Sequence, residues 1–194
     1  MEFDLSEVGG LFLKILRSAK KISKVFMYKY IFFGCFKISP LKSYFDGTIN
    51  ISKQGRLIIN DGFRNKKRLN ISITGGIIKI KNNVFCNNNV SINCMSEIEI
   101  GEDTIIGENV CIYDHDHKFR DGNVLIRKQG FSCNNVIIGR NVWIGSNVVI
   151  LSGAKIDDGS VISAGSIVKG HVPKNSLLLQ KRNKEMISLY TRDH

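Results

Sequence analysis

The chain has one close pair of histidines, in the run Tyr113-Asp114-His115-Asp116-His117. An imidazole titrates near neutrality, so such a residue can take or give a proton at physiological pH. A neighbouring carboxylate can orient the ring and stabilise the imidazolium. Asp114 and Asp116 both flank His115, although adjacent side chains in extended chain point to opposite faces. The bland readings of the run are an exposed polar loop or a metal site. A metal is not expected. The other two histidines, His171 and His194, lie far along the chain, and the five cysteines form no C-x-x-C pair.

The elements that must hold these residues announce themselves through a period of six. Ile138, Ile144, Ile150, Ile156, Ile162 and Val168 recur at that interval. Four places after each stands a small or β-branched residue: Val142, Val148, Ala154, Ser160, Ser166 or Val172. Three places after each stands Asn141, Asn147, Gly153, Gly159, Gly165 or His171. A short fixed period decides the fold before any single element does. Six matches neither the helical nor the heptad repeat. Short β-segments joined by tight corners do match it, with the aliphatic residue inward and Asn or Gly taking the left-handed conformation at the corner.

The beat has an earlier copy at Cys94, Ile100, Ile106 and Ile112, and an interruption. The next hexad is due at Lys118, but the pattern resumes at Ile138, so an extruded loop is expected over 118–137. Loops of that length in a compact domain usually carry function. Further upstream, Ile80, Cys86 and Ile92 keep the interval two residues out of phase, which predicts a bulge near Met95–Glu97. Ile49-Ile51, Leu57-Ile58-Ile59 and Leu69-Ile71-Ile73 read as strands without clean hexads.

The net charge is +11, and it is unevenly placed. Residues 1–81 hold 16 Lys/Arg against 5 Asp/Glu; residues 82–168 hold 6 against 10. The repeat body is mildly acidic and the ends are basic, which favours anionic partners. Leu11, Phe12, Ile15, Leu16, Ala19, Ile22, Val25 and Phe26 make an apolar helical stripe, with Lys14, Arg17, Lys20, Lys21 and Lys24 opposite. Such a helix caps an open solenoid end, touches an anionic membrane through residues 11–36, or does both. The basic patches lack an aromatic RNA motif, so no nucleic acid is expected. Cys86 and Cys94 fall at inward beats, which suggests a reducing compartment. The acidic start is unlike a signal peptide. A cytoplasmic protein is expected, with a peripheral place at the inner face of the membrane as the variant of that reading. The layout expected is a basic helical segment 1–45, a solenoid 46–175 and a basic tail 176–194.

Asn141-Val142-Trp143-Ile144-Gly145-Ser146, Ser163-Ala164-Gly165-Ser166-Ile167-Val168 and Val172-Pro173-Lys174-Asn175 resemble the hexapeptide-repeat acyltransferases. Galactoside, maltose and surface-polysaccharide O-acetyltransferases are the nearest subgroup, over about residues 80–180. The resemblance implies an all-β solenoid, a left-handed parallel β-helix of triangular section. It also implies a homotrimer with acetyl-CoA bound between subunits. In that family a histidine just before the extruded loop is the general base. The matching residue is His115, with His117 as competitor. By the same resemblance Asn87 and Trp143 meet the acceptor. Trp143, Ser146, Ala164 and Gly165 meet the cofactor. Lys181 is the candidate for its phosphates, although the Gly-Pro pair usual near there is missing.

Together these features lead to the expectation of an acetyl-CoA-dependent O-acetyltransferase acting on a carbohydrate acceptor of the cell envelope, with no metal. N-acetylation of an amino-sugar nucleotide, serine acetylation and a non-enzymatic scaffold with basic ends are the alternatives.

Overall fold

A computed structural model describes residues 19, 22–52 and 54–180. Among them the chain winds as a left-handed parallel β-helix whose coils visit three sheets in the order A, B, C. Sheet A runs Phe36–Lys37, Arg56–Ile59, Ile77–Ile80, Glu97–Ile100, Val136–Ile138, Lys155–Ile156 and His171–Val172. Sheet B runs Arg64–Asn65, Phe85–Cys86, Ile105–Ile106, Trp143–Ile144, Val161–Ile162 and Leu177–Leu178. Sheet C runs Gly47–Ile51, Leu69–Ile73, Ser91–Cys94, Cys111–Tyr113, Val149–Ile150 and Ile167–Val168. Every pairing within these sheets is parallel.

The hexads explain the core. Each inward isoleucine pairs with its counterpart one coil on, as in Ile106↔Ile144↔Ile162 and Ile112↔Ile150↔Val168. These columns are buried throughout, as are Thr104, Val110, Val142, Val148, Ala154, Ser160 and Ser166 four places on. Burying one aliphatic side chain of this size contributes about 1.5–3 kcal/mol. The corners also behave as the sequence requires. Asn141, Asn147, Gly153, Gly159 and Gly165 all have positive φ, as do Asn83, Asn89, Asp103 and Asn109 earlier. The corner asparagines stack into a ladder, with Asn89 donating to Asn109 at 3.0 Å and Asn109 to Asn147 at 3.1 Å.

Several boundaries differ from expectation. The solenoid already begins at Phe36, and its last strand reaches Leu178, beyond the expected 175. Early coils are longer than late ones: Ile71 pairs with Ile92, but Ile150 pairs with Val168. The extra residues lie at the corner from sheet C to sheet A, around Thr74–Gly76 and Met95–Ser96. The corner after Val168 is instead short, so Val172 pairs with Ile156 and takes the inward aliphatic place. His171 therefore lies in a strand, and Gly170 supplies the positive φ.

The helix spans 22–31, and Val25 and Tyr28 are its buried contacts. Tyr28 meets Phe45 edge-on with centroids 6.0 Å apart, covering the first coil. This packing sets the helix rotation, so Ile22 and Phe26, expected on the buried stripe, are exposed. The expected stripe from Leu11 to Leu16 lies outside the described residues.

Candidate active site

The fourth coil does not close its corner from sheet C to sheet A. After Cys111–Tyr113 the chain bends at Asp114 and leaves as an antiparallel hairpin, His115–His117 paired with Phe131–Cys133. It rejoins sheet A at Val136. The excursion therefore starts and ends a few residues before the expected 118–137, because the period gives the number of extra residues but not the point of departure.

The missing corner would leave backbone groups of the adjoining coils without partners, and buried polar groups are costly unpaired. Asp114 takes its place. Its carboxylate accepts N–H bonds from Met95 at 2.9 and 3.1 Å and from Ser96 at 2.7 Å, one coil below. Its carbonyl accepts from Asn134 N–H at 2.9 Å and from the Ser152 hydroxyl at 3.0 Å, one coil above. The side chain is 0% exposed.

His115 Nδ1 lies 2.9 Å from Asp114 Oδ1. An ionised carboxylate only accepts, so Nδ1 carries the hydrogen and donates. In the neutral ring Nε2 is then left with its lone pair, the form a general base needs. The ring is edge-on to Phe131, with centroids 5.5 Å apart, and its side chain is 19% exposed. His117 is exposed and lies at 41° to Phe131 with centroids 4.4 Å apart, and among the described residues no hydrogen bond holds its imidazole. His117 lines a cavity of about 1070 Å³ between the hairpin and the later coils. Lys118, Arg120, Lys128 and Lys169 also line it, with Asp116, Asp121, Asn134 and Ser152.

The other candidate residues stand elsewhere. Asn87, Ser146, Ala164 and Gly165 share the corner from sheet B to sheet C, in three different coils. Asn87 accepts the Asn88 N–H at 2.9 Å, so within the chain it serves its own turn. Ser146 is bonded to the coils on both sides: its carbonyl accepts from Gly165 N–H, and its hydroxyl from Glu108 N–H. Trp143 lies on the outer face of sheet B and is 58% exposed. Sheet B is the side of the triangle opposite the corner that carries His115. One chain thus separates the histidines from the tryptophan, with sheet C between the two corners. Lys181 lies outside the described residues.

The sequence reading left the amides of Met95 and Ser96, the ring of Phe131 and the cationic lining out of the site. The two-residue phase slip one coil before the histidines was the available signal for the first of these.

The parallel β-helix and its six-residue repeat resemble those of the hexapeptide-repeat acyltransferases. The family described as bacterial transferase hexapeptide (six repeats) matches residues 135–170. Solved structures similar to the chain include a hexapeptide-repeat acetyltransferase of Vibrio cholerae complexed with acetyl-CoA. It is 24% identical over 91% of this chain and 86% of that one, with a TM-score of 0.53. A galactoside acetyltransferase in complex with coenzyme A is 27% identical over 87% of this chain and 76% of that one, with a TM-score of 0.51. A second structure of that same Vibrio cholerae acetyltransferase aligns with 35% identity over 52% of this chain and 56% of that one, with a TM-score of 0.48. No curated protein sequence matches significantly. The resemblance read from the motifs is thereby shown.

Proposed function

We propose that the protein is an acetyl-CoA-dependent O-acetyltransferase that acetylates a sugar hydroxyl of an envelope polysaccharide or its precursor. The observation that carries this reading is the Asp114–His115 pair, locked to the backbone of the coil below. His115 Nε2 takes the proton of the acceptor hydroxyl as that oxygen attacks the thioester carbonyl. The tetrahedral intermediate collapses, the carbon–sulfur bond breaks, and the imidazolium returns the proton to the departing thiolate. Asp114 holds the ring and stabilises its charged form. The galactoside acetyltransferase with coenzyme A bound supports the donor and the acceptor class.

The working unit proposed is a homotrimer. The outer face of sheet B carries a continuous row of Phe85, Ile105, Trp143, Val161 and Leu177 on adjacent strands. Ile105, Trp143 and Leu177 in it are well exposed. A second copy would cover this row and bring its Trp143 toward a neighbour's histidine. The cations of the cavity suit an acidic acceptor or the phosphates of the donor.

The test is acetyl-CoA turnover against a panel of sugars and oligosaccharides, with His115→Ala as control. That variant should keep the wild-type melting temperature and lose transfer by about 100-fold or more. His117→Ala should lose less. Equal activity of wild type and both variants would remove the mechanism.

A further inference from the structure

The capped end of the solenoid does not look like a sealed end. Beyond the buried Val25 and Tyr28, it turns large apolar side chains to the outside. Phe33 is 89% exposed, Tyr30 86% and Leu41 84%, with Phe26, Met27 and Ile31 exposed beside them. Monomeric proteins seldom expose such groups together without a partner. The charge around them is mainly positive: residues 22–45 contain four lysines and no Asp or Glu, and the carboxylate of Asp61 pairs with Lys42 at 2.9 Å. Lys37 is exposed on the first strand, and Lys24 lies 5.9 Å over the ring of Tyr28. No helix among the described residues is long and apolar enough to cross a membrane.

Exposed aromatics interleaved with lysines, with cations in excess, are the chemistry of a surface that lies in the headgroup layer. We infer that residues 22–42 dock the protein on an anionic lipid surface. Phe33, Tyr30 and Leu41 enter the interface, and Lys24 and Lys37 meet the headgroups. An acidic protein partner would match the charge, but it would not need so many protruding apolar groups. Docking orients the molecule. The histidines sit on the fourth coil, three strand steps from the first along sheet C. At the usual strand spacing, and with the helix beneath, His115 stands roughly 15–25 Å above the lipid. That height suits an acceptor sugar carried on a lipid anchor, an extension that rests on the function proposed above.

Vesicle sedimentation tests the docking. The full chain is spun with vesicles of phosphatidylcholine alone and with about one-third phosphatidylglycerol, at low salt and at about 0.5 M NaCl. Wild type should bind the anionic vesicles at least about tenfold better than the neutral ones, and less well in high salt. Phe33→Ser with Leu41→Ser should weaken binding about tenfold at both salts, and Lys24→Gln with Lys37→Gln should weaken it mainly at low salt. All these side chains are exposed or half-exposed, so the folded state should survive, as circular dichroism checks. Equal binding to both vesicle types, or undiminished binding of the serine variant, overturns the inference. So does a smaller oligomer for the serine variant, which would assign the patch to a second copy. Vesicle binding without acetyl transfer to any sugar would sink the proposed function and leave the docking intact.

Discussion

The two corners that flank sheet C follow opposite rules. The corner from B to C repeats with little change from coil to coil, with left-handed residues Asn89, Asn109, Asn147 and Gly165 in one column. The corner from C to A differs in almost every coil. It is extended at Met95–Ser96, replaced by the hairpin after Tyr113, and shortened after Val168. A uniform corner stacks its own side chains and backbone, and so supports the wall. A variable corner is free to hold chemistry, because an insertion there leaves the sheets in register. The difference shows why one period can specify a fold and still leave room for a site.

The sharpest way to break that contrast is at Asp114. Asp114→Asn keeps the size but presents an amide where the backbone of Met95 and Ser96 and the ring of His115 all need an acceptor. Transfer should fall by about 10- to 100-fold, and the protein should melt earlier. Steady-state kinetics with a melting curve checks both. Unchanged kcat would mean that Asp114 serves the coil alone.

The uniform corner should fail through stability instead. A Cβ on Gly145 would sit 2.6 Å from the backbone nitrogen of Ala164. Gly145→Val should cost about 1–3 kcal/mol or more, seen as a lower denaturation midpoint. In the hairpin, a Cβ on Gly122 meets nothing within 4 Å, so Gly122→Ala should be nearly silent. Equal losses at the two glycines would erase the distinction between the corners.

The smallest effect concerns thiols. Burial pushes the Cys86 thiol up to about 12, and burial with the nearby Asp114 carboxylate raises that of Cys94 further. Cys133 lies exposed on the hairpin, also raised, first by partial burial. The thiolate is the reactive form, so alkylation at mildly alkaline pH should mark Cys133 slowly, and Cys86 and Cys94 only after unfolding. Mass spectrometry of the labelled peptides reads this directly. Fast labelling of Cys86 in the folded protein would show that the wall opens.

Much of this fold was legible because a strict period carries one meaning. Ile138 to Ile162 each sit where the beat puts them. The early coils were less legible because their corners are longer, so Leu57, Ile71 and Ile78 keep the inward alternation but lose the interval. The histidines were legible from residue type and context. Asp114 was not settled, because its partners are backbone amides 18 and 19 residues upstream, and a backbone amide has no sequence signature. Extended-chain geometry argued against its reaching His115, and the bend at Asp114 removes that objection. Trp143 was legible as a motif, but its position across the triangle from His115 needed the order of the sheets.

The replacement of a whole corner by Asp114 makes the hairpin a cassette. Its ends are fastened by groups at its base: the carboxylate and carbonyl of Asp114, the Asn134 amide and the Ser152 hydroxyl. Residues between His117 and Phe131 contribute no strand to sheets A, B and C. Descendants of this chain can therefore exchange the hairpin tip, in length or in composition, while the base and the histidine it aims stay in place. On the function proposed above, acceptor preference and fold stability would be inherited through different residues, and selection could change the first without retuning the second.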